Sequence, residues 1–115
     1  MAEEESYQVE ITVPAQIRYQ NEILTYLSEN FSSERISSID DAIFDKVSTL
    51  SHSPHRGRKE ELLKDPLRHF QYIIYRETGN LEIKIIYYVE EESGKVYVTD
   101  FFPTKMNPVK IQKRS

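Results

Sequence analysis

The spacing of the apolar residues changes once along this chain, and the change limits the folds open to it. Between residues 15 and 50, apolar side chains recur every three or four positions, which is the period of a helix with one buried face. Between residues 70 and 89 they recur at every second position, which is the period of a strand. A helical part followed by a strand part predicts an α+β domain, with helices on one face of a mostly antiparallel sheet.

The N-terminal half is predicted to contain one strand and two helices. Alternation over residues 7–13 indicates a strand, and Pro14, whose fixed φ suits the first turn of a helix, ends it. The first helix carries its apolar residues on one side: Ile17, Ile23, Leu24, Leu27 and Phe31. After a break at residues 30–33, the second helix has the stripe Ile36, Ile39, Ile43, Val47 and Leu50. So short a connection predicts an antiparallel helix hairpin.

The C-terminal half is predicted to be a three-stranded antiparallel meander. Its first strand covers residues 70–75, and a turn follows at residues 78–80. The second strand has one apolar face: Leu81, Ile83, Ile85, Tyr87 and Val89. After a hairpin turn at residues 92–95, the third strand continues through Val96, Val98 and Phe102. The N-terminal strand would join an edge of this meander. Residues 1–115 would then form one domain with an acidic tail at 1–6 and a basic tail at 109–115.

Composition narrows the setting in which the protein works. The 115 residues include no cysteine, which excludes disulfides and thiolate metal sites and suits a reducing cytoplasm, the location that we expect. No apolar run approaches the roughly 20 residues that span a bilayer, so we expect no membrane partner. The three glycines are isolated, and His52, His55 and His69 lack the spacing of metal ligands. We therefore predict no phosphate-binding loop, no metal and no cofactor.

The formal net charge of −4 conceals an uneven distribution. Residues 1–54 carry −7 and residues 77–104 carry −4, whereas residues 55–76 carry +3 and residues 105–115 carry +4. Net acidity argues against a generally cationic nucleic-acid binder, but the two basic segments could form one surface if the fold brings them together. Cations among the tyrosines of a sheet suit phosphate and base binding, although tyrosine on a strand is more often half-buried packing.

Taken in order, the local motifs resemble the RelE/ParE superfamily of bacterial toxin–antitoxin toxins, on its ParE-like plasmid stabilisation branch. The resemblance covers nearly the whole chain. It rests on the opening strand with Pro14-Ala15, the helix end Tyr26-Leu27-Ser28-Glu29-Asn30-Phe31, the second helix ending at Leu50, the loop Pro54-His55-Arg56-Gly57-Arg58, the strand Lys84-Ile85-Ile86-Tyr87-Tyr88-Val89 and the close Phe101-Phe102-Pro103-Thr104-Lys105-Met106-Asn107-Pro108. The fold that this resemblance implies, a helix hairpin with a curled antiparallel sheet, agrees with the elements predicted from periodicity.

The resemblance implies a growth-inhibiting toxin that a cognate antitoxin neutralises. RelE-like members cleave mRNA in the ribosome, whereas ParE-like members inhibit DNA gyrase and are not nucleases. If this chain is a nuclease, the positions that match the catalytic basic residues are Arg76, Lys84 and Lys105. The positions that do not match the nuclease branch, where two lysines and a tyrosine are expected, are Tyr72, Ile74 and Ile111. The departures favour the ParE-like branch, because RNA cleavage needs a base, a cationic stabiliser and a proton donor.

Three hypotheses follow. The first is a ParE-like, non-catalytic toxin with DNA gyrase as its target and an antitoxin as its partner. Its target-binding residues would be basic: Arg56, Arg58, Lys105, Lys110, Lys113 and Arg114. The second is a RelE-like endonuclease whose partners are the ribosome and mRNA. The third is a non-toxic binding member of the superfamily, and a homodimer is compatible with all three.

Overall fold

The computed structural model describes residues 6–77 and 81–114, and these form an α+β fold with three helices and a five-stranded mixed sheet. The predicted fold class is therefore confirmed at this coarse level. The predicted turn at residues 78–80 lies outside the described residues, as do residues 1–5 of the predicted acidic tail and residue 115. None of the helices in the described ranges is long and apolar enough to span a bilayer.

The sheet has the strand order β1-β5-β4-β3-β2. Its strands are β1 (Gln8–Ile11), β2 (Arg58–Lys59), β3 (Gln71–Arg76), β4 (Glu82–Glu90) and β5 (Lys95–Pro103). Strands β3 to β5 form the antiparallel ladder where the meander was predicted. The topology differs from the prediction in detail. The N-terminal strand runs parallel to β5, with Val9 opposite Val96, and the short strand β2 extends the other edge.

The first helix spans residues 13–30 and contains a π-helical segment, Tyr19–Leu24, between the α-helical segments Val13–Arg18 and Thr25–Asn30. Its buried residues are spaced by four: Ala15, Tyr19, Ile23 and Leu27. A regular α-helix has about 3.6 residues per turn, so side chains spaced by four move gradually around its axis. A π-helical turn contains more residues than an α-helical turn, and it brings these four side chains back to one face. The predicted burial of Ile17 is therefore wrong, because that side chain lies off this face and is 49% exposed.

The second helix, Ser33–Ser48, buries the predicted positions Ile39, Ile43 and Val47, and the stripe continues to the buried Leu50 in the following turn. Its first turn is capped by Ser32, whose hydroxyl accepts the Arg35 N–H. These side chains form the main core with the first helix and one face of the sheet. The helices therefore cover a face made largely by β4 and β5.

A bulge at Thr99 reverses the two faces of β5. Ile86 of β4 lies opposite Asp100 whereas Tyr87 lies opposite Val98, which leaves Thr99 as the extra residue. Beyond it, Phe101 joins the main core, and Phe102 joins a second cluster on the opposite face. The predicted third strand through Val96, Val98 and Phe102 is therefore present, but the bulge puts Phe102 on the face opposite Val98.

The second cluster covers the other face of the sheet. Its buried members are Phe70, Ile86, Phe102 and Ile111, and Leu62 and Leu63 pack against them. Ile111 comes from a third, C-terminal helix, Lys110–Arg114, in the segment predicted to be a basic tail. Since Ile111 packs in the same cluster as Phe70, the two basic segments of the sequence adjoin each other on this side of the sheet.

Candidate functional site

Lys84 projects from β4 on the side of the second cluster and forms an ion pair there. Its Nζ lies 3.0 Å from Glu60 Oε1 and 4.2 Å from the centre of the Tyr72 ring. The Glu60 side chain is only 2% exposed and that of Lys84 is 20% exposed. Backbone contacts fix Glu60, because its N–H donates to Phe70 O at 2.8 Å and its Oε2 accepts the Leu62 N–H at 3.2 Å. The charge of Lys84 is therefore already compensated by a buried carboxylate.

Arg76, at the end of β3, is also paired. It lies opposite Glu82 on β4, and its Nε donates to Glu82 Oε2 at 2.8 Å. This hydrogen bond lowers the pKa of the Glu82 carboxyl. Ile74 lies opposite Lys84, so the alternation of β3 puts Arg76 and Lys84 on the same face of the sheet. The fold thus brings these two predicted residues near each other, each with its own carboxylate.

Lys105, the third candidate catalytic residue under the nuclease hypothesis, lies beyond the end of β5 and is exposed. Its Nζ is 5.8 Å from the centre of the Tyr26 ring on the first helix. It contributes to a small depression of about 260 Å³ that also includes Ile23, Leu81 and Met106. Lys105 therefore faces the first helix, whereas Lys84 faces Glu60 and Tyr72.

Arg114 ties the C-terminal helix to the rest of the protein. Its guanidinium contacts Asp100 Oδ1 at 2.8 Å and Glu22 Oε1 at 2.7 Å, and its side chain is 11% exposed. Burial alone would lower the pKa of Arg114, but the hydrogen bonds to Asp100 and Glu22 outweigh it and raise the pKa. Arg18 completes the link by donating to the Arg114 carbonyl and lying 3.7 Å from Asp100. Arg114 is thus occupied in holding the helix in place.

The other predicted target-binding residues lie on the surface. Arg56 and Arg58 are exposed beside and within β2, and Arg56 donates to Thr49 Oγ1 at 2.5 Å. Lys110 and Lys113 are exposed on the C-terminal helix, on either side of the buried Ile111. None of these four cations forms an ion pair with a carboxylate in the described part of the chain. They could therefore meet an acidic or phosphate-bearing surface directly.

Several tyrosines of the sheet are packing residues. Tyr87 is fully buried, its hydroxyl accepts the Gly57 N–H at 3.0 Å, and burial raises its pKa. Tyr75 is buried and donates to Glu77, and burial together with this hydrogen bond raises its pKa to about 12. Tyr88 is half-buried, with the Arg68 guanidinium carbon 5.3 Å from its ring centre. Among these three, Tyr88 is the one placed to contribute to a surface.

The structure has a groove beside β2 that was not predicted from the sequence. It has a volume of about 810 Å³. Its lining is Gly57, Lys59, Leu63, Lys64, Asp65, Pro66, Arg68, His69, Phe70 and Gln71. The excess of basic residues between 55 and 76 was the available signal, but periodicity does not show that they would line one groove.

Within residues 6–77 and 81–114, no three histidine or acidic side chains lie close enough together to hold a metal ion. Comparison of this chain with protein-family models, with curated proteins and with solved structures gives no match.

Proposed function

We propose that this protein is a ParE-like toxin that binds and inhibits DNA gyrase without nuclease chemistry and is neutralised by an antitoxin. The ion pair between Lys84 and Glu60 is the observation that most favours this function. Cleavage of RNA through its 2′-hydroxyl places extra charge on the phosphate, and an available cation must stabilise that charge. Lys84 occupies the position that resembles the nuclease arginine, but here it faces a buried carboxylate at 3.0 Å. Arg76, on the same face, is paired with Glu82.

The arrangement of the elements also supports the proposal. A strand, two successive helices and an antiparallel ladder follow in the order that the superfamily resemblance implies. The exposed Lys105, Lys110 and Lys113 give the C-terminal part a cationic surface for a target. The acidic N-terminal half, with a formal charge of −7 over residues 1–54, suits an antitoxin that carries basic residues.

Two assays on the purified protein test the proposal. We expect inhibition of gyrase supercoiling at stoichiometric protein and no cleavage of mRNA on translating ribosomes. Replacing Lys105, Lys110 and Lys113 together by Gln should weaken gyrase inhibition about tenfold or more, because three surface cations are lost. The control is Glu60→Gln/Lys84→Met, which removes the buried pair without leaving a charge and should still inhibit gyrase.

The opposite pattern would support the nuclease hypothesis. Cuts in ribosome-bound mRNA that disappear in Glu60→Gln/Lys84→Met, with supercoiling unaffected by the wild type, would refute the gyrase proposal. Inactivity in both assays, from a folded protein, would favour a non-toxic binding member of the superfamily. A protein encoded beside this gene that copurifies with the chain and abolishes its inhibition would identify the antitoxin.

A further inference from the structure

The geometry points to the groove beside β2 as a binding site for the phosphate backbone of a single-stranded nucleic acid. Its lining carries Lys59, Lys64 and Arg68, and none of the three forms an ion pair with a carboxylate among residues 6–77 and 81–114. Lys84 and Arg114, in contrast, are both held by carboxylates. An anion entering the groove therefore meets cations without first breaking an ion pair.

The acidic residue in the lining, Asp65, forms no ion pair with these cations among the described residues, and the four charged side chains leave a formal charge of +2. Asp65 Oδ1 accepts the backbone N–H groups of Leu67 at 2.8 Å and Arg68 at 3.2 Å, which forms a turn closed by the side chain. Gln71, which also lines the groove, donates from Nε2 to Gly57 O at 2.9 Å. These contacts hold the backbone at two places in the lining, so the backbone that carries the cations needs little reordering when a ligand binds.

The shape of the groove and its aromatic neighbours favour a single strand over a duplex. A flexible strand can enter a concave site of about 810 Å³, whereas a rigid duplex would contact only its rim. Beside the groove, Arg68 lies over Tyr88, whose ring is 5.3 Å from that of Tyr97 and inclined to it by 30°. Proteins that bind single strands combine a cationic groove with aromatic rings on which bases stack.

Acidic residues limit the direction of the strand. Glu90, Glu91 and Glu92 line a neighbouring depression together with Arg68 and Tyr88. They would repel phosphates on that side, so the phosphate backbone is expected to run from Arg68 toward Lys59, and the group that reaches the Tyr88 ring is an uncharged base. This inference is independent of the gyrase proposal, because the cations of the groove are not those assigned to the gyrase surface in the test above.

The test is binding of a fluorescein-labelled twelve-nucleotide oligothymidine, measured by anisotropy at about 50 mM salt and at rising salt. We expect Lys59→Gln/Lys64→Gln to raise the Kd about tenfold. The slope of log K against log salt should fall in magnitude by about 1.4, at roughly 0.7 per lost phosphate contact. The matched control is Ser37→Asp/Ser38→Asp, which lowers the net charge by the same two units at exposed positions of the second helix and should bind like the wild type.

Three results would overturn the inference. The first is no binding of the oligonucleotide by the folded wild type at about 50 mM salt. The second is an equal loss in both variants, which would show a response to net charge alone. The third is equal binding of a duplex or of a polyglutamate peptide of the same charge, which would show that any polyanion suffices. Gyrase inhibition is also measured for Lys59→Gln/Lys64→Gln, so that the two proposals are tested separately. If this variant still inhibits gyrase, the toxin proposal stands whatever the oligonucleotide assay shows.

Discussion

The buried ion pair of Glu60 and Lys84 predicts unequal costs for removing its two partners. Lys84→Met leaves a carboxylate that is 2% exposed without its cation, and breaking a buried pair in this way typically costs about 3–5 kcal/mol. Glu60→Gln leaves an ammonium that is 20% exposed, that can reach water and that still lies over the Tyr72 ring. We expect the second change to cost only about 1–2 kcal/mol, because the remaining cation keeps partial hydration.

The double variant Glu60→Gln/Lys84→Met should recover much of the loss. With neither charge present, its cost should fall at least about 2 kcal/mol below the sum of the two single costs. Urea denaturation of the four proteins measures the free energies of unfolding, and unchanged m-values would show that the same surface is exposed in each. Equal costs for the two single variants, or strictly additive costs in the double variant, would refute the reasoning. Either result would show that burial of the Glu60 carboxylate does not determine the effect of the ion pair on stability.

Three further predictions concern stability. Gly57→Ala should destabilise the protein by about 1–3 kcal/mol in urea, because its Cβ would clash with the Tyr87 hydroxyl. Pairing it with Tyr87→Phe should restore part of the loss, and a neutral Gly57→Ala would contradict the contact. Arg114→Ala should lower the free energy of unfolding by about 2–4 kcal/mol and make the C-terminal helix more sensitive to protease. The control Lys113→Ala, at an exposed position, should change the free energy of unfolding by no more than about 0.5 kcal/mol. Similar behaviour of the two variants would contradict the role of Arg114. The pKa of Tyr75 is raised to about 12 from its ordinary 10.0, so the folded state favours the protonated hydroxyl. The stabilisation that this gives is complete below about pH 10 and is lost as the pH rises from about 10 to 12. Urea midpoints at pH 9 and 11 should therefore fall more in the wild type than in Tyr75→Phe, and an equal fall would refute the assignment.

Periodicity predicted those parts of the fold in which local geometry is regular. The apolar face of β4 and the stripe of the second helix were found where the sequence placed them, because both follow one uninterrupted period. Periodicity does not show which side chains are buried where the backbone changes its repeat. The π-helical segment moved Ile17 out of the core, and the extra residue Thr99 turned Phe102 to the opposite face. Neither irregularity has a local sequence signal as strong as a proline or a glycine.

The candidate site was less accessible from sequence than the fold. The residue types of Lys84 and Arg114 indicated cationic sites, but their charges are compensated by Glu60 and Glu22, which lie far away in the chain. Ion pairs between distant segments have no periodic signature, so only the fold shows which cations remain available. The same reasoning explains why Lys64 was not singled out, although it lines the groove beside Lys59.

The parallel pairing of β1 with β5 constrains how this chain can acquire its structure during synthesis. β1 leaves the ribosome well before residues 95–98, with which it pairs, so the sheet cannot be completed until β5 has been made. Contacts between such distant segments slow folding, and until they form, β1 and the edge of β5 are unpaired and available to other chains. A partner that binds the nascent chain would therefore meet this protein before its sheet closes.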